Sequence, residues 1–271
     1  MRSSLLLPAL FGLLIPLAVR AGVVHPRFAW PGGQVPVCWG EARDMQAISN
    51  SVINFSQVGD AAVHVVPPEV RDHFRRFAET QVSPQETGVT LAGWESCGPR
   101  DAESVKIVFS RPSALHPRGL PGMLLKGISS LGYRSSYDGH DLRPMRGPGQ
   151  HYLIMAYRGG DASDLRTLEF TFLHELGHVF GLRHGHIQSR TTRYREAAGP
   201  GALITSAHDP YSIMDYDFLM PLLEGAQPAD GRLHFPMLSS GDQHALRCLY
   251  TYDRAQRRRL CRAQERPWEE D

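Results

Sequence analysis

Neither sign of charge dominates this chain: 29 lysines and arginines stand against 28 aspartates and glutamates. Removal of residues 1–21, argued below, takes away Arg2 and Arg20 and leaves 27 against 28. A balance so near zero excludes a nucleic-acid or membrane-surface binder held by bulk charge. Beyond residue 21 no apolar run approaches the length of a bilayer span. Internal repeats and low-complexity stretches are also missing, so the remaining 250 residues suit one two-lobed domain with room for a substantial core. Cysteine is scarce, at four residues.

What is present begins with the N-terminus. Met1 to Ser4 is a short basic start, followed by an apolar run from Leu5 to Val19 that Pro8, Gly12 and Pro16 interrupt. Val19-Arg20-Ala21 offers compact residues before a cleavage after Ala21. That is a signal-peptide pattern, too short and too proline-broken for a comfortable span. Residues 1–21 are therefore expected to be removed and the protein secreted, with residues 22–33 left as a short N-terminal segment. In a secreted chain four cysteines make two disulfides, for which three pairings are formally possible. Cys38 and Cys97 each end a strand-like segment, while Cys248 and Cys261 lie close together near the end of the chain. The expected pairs are Cys38–Cys97, tying the first strand to the sheet, and Cys248–Cys261, stapling a charged tail of residues 253–271 onto the last helix. A latency role for Cys38 as a metal ligand lacks the surrounding motif.

Chemistry is concentrated in His174-Glu175-Leu176-Gly177-His178-Val179-Phe180-Gly181-Leu182-Arg183-His184, which reads H-E-x-x-H-x-x-G-x-x-H. His174 and His178 are four apart, so on a helix both imidazoles project from one face. Gly181 can adopt backbone angles closed to other residues, letting the chain leave the helix and bring His184 round as third ligand. Three neutral imidazoles leave one tetrahedral position of a Zn2+ ion open, as a catalytic site requires. Glu175 stands beside the first ligand, placed to act as general base toward a water without ligating the metal. Three histidines, a glutamate and a glycine at fixed offsets restrict chance far more than a bare H-E-x-x-H; the plain alternative is a helix with solvated histidines.

This pattern resembles the metzincin metalloproteases, whose zinc motif is paired with a downstream methionine turn. Tyr211-Ser212-Ile213-Met214-Asp215-Tyr216 is similar to the S-x-M-x-Y turn of astacins and serralysins, and Leu238-Ser239-Ser240-Gly241-Asp242 with Leu249-Tyr250 to the L-S-x-x-D…L-Y end of astacin and matrixin domains. Val35-Pro36-Val37-Cys38-Trp39 and Gly93-Trp94-Glu95-Ser96-Cys97 are similar to pieces of secreted astacin-like microbial proteases. The resemblance spans roughly residues 34–250. It departs at Gly185, where astacins carry a glutamate. The resemblance implies a catalytic domain over 34–252, an apolar floor under the imidazoles from the Met214 turn, and a substrate-pairing edge strand within 127–133. It also implies a Tyr216 that swings between zinc and the transition state, where the plain alternative is a packed aromatic.

A coarse pass predicts strands at 34–39, 87–94, 105–110, 127–133 and 151–157, and helices at 44–55 and from Val70 to about Gln81. A further helix starts at Asp161 to Asp164 and buries Leu165, Leu168, Phe172, Leu176 and Val179. Ser239 with Asp242 forms an S-x-x-D capping box for a last helix to about Tyr250. The fold class is α+β: a mixed twisted sheet with helices in an N-terminal lobe, and a loop-rich C-terminal lobe ending in a helix. His186 reads as a cleft-lining residue. Asp138, His140, Asp141 and His151 read either as a second metal site or as a polar turn, and Asn54 lies in a glycosylation sequon. The expected activity is secreted zinc-dependent endopeptidase, acting as a monomer on protein or peptide substrates, without nucleic acid. The alternative is a non-catalytic secreted binding protein that keeps the zinc fold, for which Glu175 would be unnecessary.

Overall fold

The computed structural model describes residues 23–24, 28–44, 48, 63–110, 127–133, 135–137, 142–144, 151–157, 162–184, 203–204, 209, 211–215 and 237–251. Residues 1–21, Asn54, Asp138, His140, Asp141, the Asp161–Asp164 capping side chains, Gly185, His186, Tyr216, Cys261 and the 253–271 tail lie outside them. So does most of the 44–55 helix, of which residue 48 and the adjoining 42–44 are described as helical.

The sheet is built on Val105–Ser110 (β4) and Tyr152–Ala156 (β8), two largely apolar segments that are almost wholly buried. Burial of both faces explains why these strands are nearly continuous hydrophobic runs rather than alternating ones. Gln34–Trp39 (β2) and Thr90–Ser96 (β3) complete a parallel set, and Gly127–Ser129 (β5) adds an antiparallel edge, in the order β3-β2-β4-β8-β5. Pro36 donates no hydrogen bond, and it stands where β2 has only β3 beside it, since pairing with β4 begins at Val37. The ladder between β2 and β3 shifts after Val37, so that Trp39 pairs with Ser96, and the Cys38–Cys97 disulfide clamps the two strands at that irregularity.

Helices Pro68–Gln81 (α1) and Ala162–Val179 (α3) pack on one face of this sheet. α1 opens with a proline at its first position and Glu69 in its first turn, both favourable at a helix N-terminus. Phe74 of α1 meets Phe172 of α3 at 5.0 Å and Phe109 of β4 at 5.6 Å between ring centroids. The core continues through Ile107, Leu153, Met155, Leu173 and Leu176. The last helix, Ser240–Tyr250 (α4), starts at the expected capping box, with Ser239 accepting from the Asp242 amide and Asp242 accepting from the Ser239 amide.

Several boundaries and elements differ from expectation. The third strand begins at Thr90 rather than Thr87 because Pro84–Thr87 forms a single helical turn (α2), ended by Gly88 in a left-handed conformation. β5 stops at Ser129 instead of running to Tyr133, because amides beyond it serve other carbonyls: Gly132 donates to His178 and Tyr133 to Phe28. The N-terminal segment also contains a strand, Val23–Val24 (β1), between Leu182–Arg183 (β9) and Leu203–Ile204 (β10) in an antiparallel sheet. A hairpin of Ser135–Tyr137 (β6) and Leu142–Pro144 (β7) was not expected either. The described part is thus a mixed α/β arrangement compatible with α+β. Residues 185–236, which would form most of a second lobe, are described only at 203–204, 209 and 211–215. Among the described residues no helix is long and apolar enough to cross a membrane.

Candidate metal centre

α3 carries His174 and His178 one turn apart, with ring centroids separated by 4.8 Å. It ends at Val179, and the carbonyls of the three residues from His178 to Phe180 have partners. His178 O accepts from the amides of Gly132 and Gly181, Val179 O from the Trp30 indole at 2.7 Å, and Phe180 O from the Tyr250 hydroxyl at 2.7 Å. Gly181 turns the chain with φ 97°, a left-handed value that other residues adopt only with strain. β9 follows and is held in register by β1, Val24 opposite Leu182 and Val23 opposite Arg183. His184 thereby arrives with its ring 5.3 Å from that of His174 and 4.6 Å from that of His178.

One candidate ligand nitrogen from each imidazole lies within 4.8 Å of the others. The Nδ1–H of His174 donates to Ile213 O at 2.8 Å, and that of His178 to Leu182 O at 2.9 Å. With the proton fixed on Nδ1, each Nε2 presents its lone pair to the centre. The Nε2 atoms of His178 and His184 are 3.0 Å apart, close to the roughly 3.3 Å separating two nitrogens on a tetrahedral zinc ion. Burial holds His178 well below its ordinary pKa, and the neighbouring His184 and His174 push it the same way, so it is neutral as a ligand must be. The group could hold a metal ion.

Glu175 follows the first ligand and is buried between α3 and β5. Burial raises its carboxyl to about 7, and a hydrogen bond from the Ser129 hydroxyl at 2.7 Å opposes the rise. A carboxyl poised near neutrality is suited to accept and return a proton.

Met214 packs against α3. Its sulfur fills the space beside Gly177, where an added Cβ would stand 2.5 Å from Sδ. The turn around it is held from α4: Asp242 accepts from the Ser212 hydroxyl at 2.6 Å and from the Ile213 amide at 3.1 Å. The Ser212 hydroxyl also accepts from the Met214 amide at 3.0 Å. Because Ile213 O in turn accepts from His174, the first ligand is tied through this turn to the final helix.

His174, His178, His184, Glu175, Gly181 and Met214 are therefore brought together, and Cys38 is bonded to Cys97. Cys248 is also disulfide-bonded, while its expected partner Cys261 lies outside the described residues, as does Tyr216. Ser129 and Trp30 carry no sequence signal, and Ser212 is marked only as a member of the methionine turn. Asp242 stands in the sequence as a helix cap and as part of the L-S-x-x-D resemblance, and its contact with the Ser212–Ile213 turn has no local signature. Compared with protein-family models and with curated proteins, the chain matches none.

Proposed function

We propose that this chain is a secreted zinc-dependent endopeptidase of the metzincin type. The observation that carries the reading is the convergence of three imidazole nitrogens beside a buried carboxylate on the helix that carries two of them. A zinc ion, when bound by His174, His178 and His184, supplies a Lewis acid and lowers the pKa of water to about 7. Glu175 takes the proton of the attacking water and returns it to the leaving amine. Tyr216 is the oxyanion donor in this reading. The antiparallel edge strand β5 offers main-chain groups to an extended peptide, so that side-chain pockets set preference. The disulfide supports folding in an oxidising compartment, consistent with a cleaved leader.

Glu175→Gln tests this reading. The variant keeps its metal and loses nearly all cleavage of a diverse peptide library, whereas His178→Ala loses both metal and activity. Metal analysis of the purified variants and cleavage with and without chelator separate the two cases. Full activity in Glu175→Gln overturns the mechanism. Metal binding with no cleavage of any peptide by the unmodified protein favours the non-catalytic alternative.

A further inference from the structure

β5 pairs antiparallel with β8 in the register Gly127 with Met155, Ile128 with Ile154 and Ser129 with Leu153. Side chains alternate along a strand, so residues 127 and 129 share one face. That face is turned to α3. The Ser129 hydroxyl donates to Oε2 of Glu175 at 2.7 Å. Two residues away, a Cβ added to Gly127 would stand 2.8 Å from Cγ and 2.9 Å from Oε1 of Glu175, and 2.6 Å from the Thr171 methyl. The Thr171 hydroxyl is spent on Thr167 O at 3.0 Å, one turn back along α3. Every side chain larger than hydrogen at 127 would therefore occupy the place where the carboxylate lies.

We propose that Ser129 is a positioning residue for the Glu175 carboxylate, and that bare Gly127 beside it provides the space in which that carboxylate is held. The assignment rests on Glu175 as general base and deepens that reading. A glutamate beside the first ligand has enough reach to swing onto the metal, and enough rotamer freedom to face away from it. Committing Oε2 to a charge-assisted hydrogen bond removes both alternatives and leaves Oε1 for the water. The strand that supplies this hydroxyl is the sheet edge where a peptide would add, so one element fixes both the base and the substrate backbone.

Valine and threonine have nearly the same shape, and both suit an edge strand. Ser129→Thr retains the hydroxyl and Ser129→Val lacks it. In the zinc-loaded full chain both variants are expected to bind one metal with KM for a cleaved peptide unchanged. kcat should stay near that of the unmodified protein in Ser129→Thr and fall about tenfold in Ser129→Val, the size expected for one lost hydrogen bond to a charged group. A second readout does not depend on turnover. With 13C-carboxylate glutamate, the Glu175 antisymmetric stretch is recognised by its loss in Glu175→Gln; it should shift in Ser129→Val and stay in place in Ser129→Thr. A stationary band in Ser129→Val, or equal kcat in the two variants, overturns the assignment while leaving Glu175 as base. A fully active Glu175→Gln instead overturns the reading on which it rests.

Discussion

At Asp242 a single carboxylate accepts hydrogen bonds from two separate pieces of chain. One is the amide of its own capping residue, Ser239, and the other is the Ser212–Ile213 turn beneath the histidines. Burial pushes this carboxyl up to about 6 from an ordinary 3.8, against the lowering effect of the Ser212, Ser239 and Ile213 hydrogen bonds. Protonation is thus favoured in the folded state. The associated stability is fully present below about pH 3.8 and is lost as the pH rises through about 6. Asp242→Asn cannot titrate, so the unmodified protein should lose on the order of 3 kcal/mol relative to this variant across that window. Urea denaturation of both proteins at pH 4 and pH 7, after chelator treatment, measures the difference, and a gap independent of pH would contradict it. At the residue scale the grouping of His174, His178 and His184 was legible, because their spacing is local. Ser129 and Asp242 were not: each reaches its partner across 46 and 29–30 residues, and neither contact has any period to read.

Among elements, the end of α3 decides whether the third ligand arrives. Gly181→Ala forces a Cβ into a left-handed conformation and sets it 3.0 Å from the Leu249 side chain. A destabilisation of about 1–2 kcal/mol is expected from the backbone alone. Metal affinity should weaken as well, because His184 lies three residues further on. Thermal denaturation and titration against a competing chelator read the two effects; unchanged affinity would show that β1 alone fixes His184. The elements legible in sequence, β2, α1, β4, β8, α3 and α4, are those with a strong period or a local cap. β1 was illegible because two valines form no pattern, and their partners are at 182–183 and 203–204. β5 was overextended because the amides of Gly132 and Tyr133 leave the strand pattern for His178 and Phe28, a choice made by tertiary neighbours.

For the whole molecule, the Cys38–Cys97 bond closes a loop across 59 residues that includes all of α1, α2 and β3. In the chain-entropy picture a loop of that size is worth about 4 kcal/mol. The Cys38→Ser, Cys97→Ser double variant should lose up to that amount in equilibrium denaturation, and a loss below about 1 kcal/mol would mean that the sheet already restrains the ends. A different consequence follows from the cap on α3 and from β1. Trp30 holds a carbonyl 149 residues downstream, and its own amide reaches the Tyr250 hydroxyl 220 residues away. Val23 and Val24 likewise have no strand partners until residues 182–183, and then 203–204, exist. A chain emerging from the ribosome therefore makes the candidate ligands of α3 with Trp30, Gly132 and Val23–Val24 already behind them, but before Ile213, Asp242 and Tyr250, which orient His174 and complete the cap, have been synthesised. A chain cut short before Ile213 and Tyr250 would thus carry all three histidines without the contacts that orient His174 and close the end of α3.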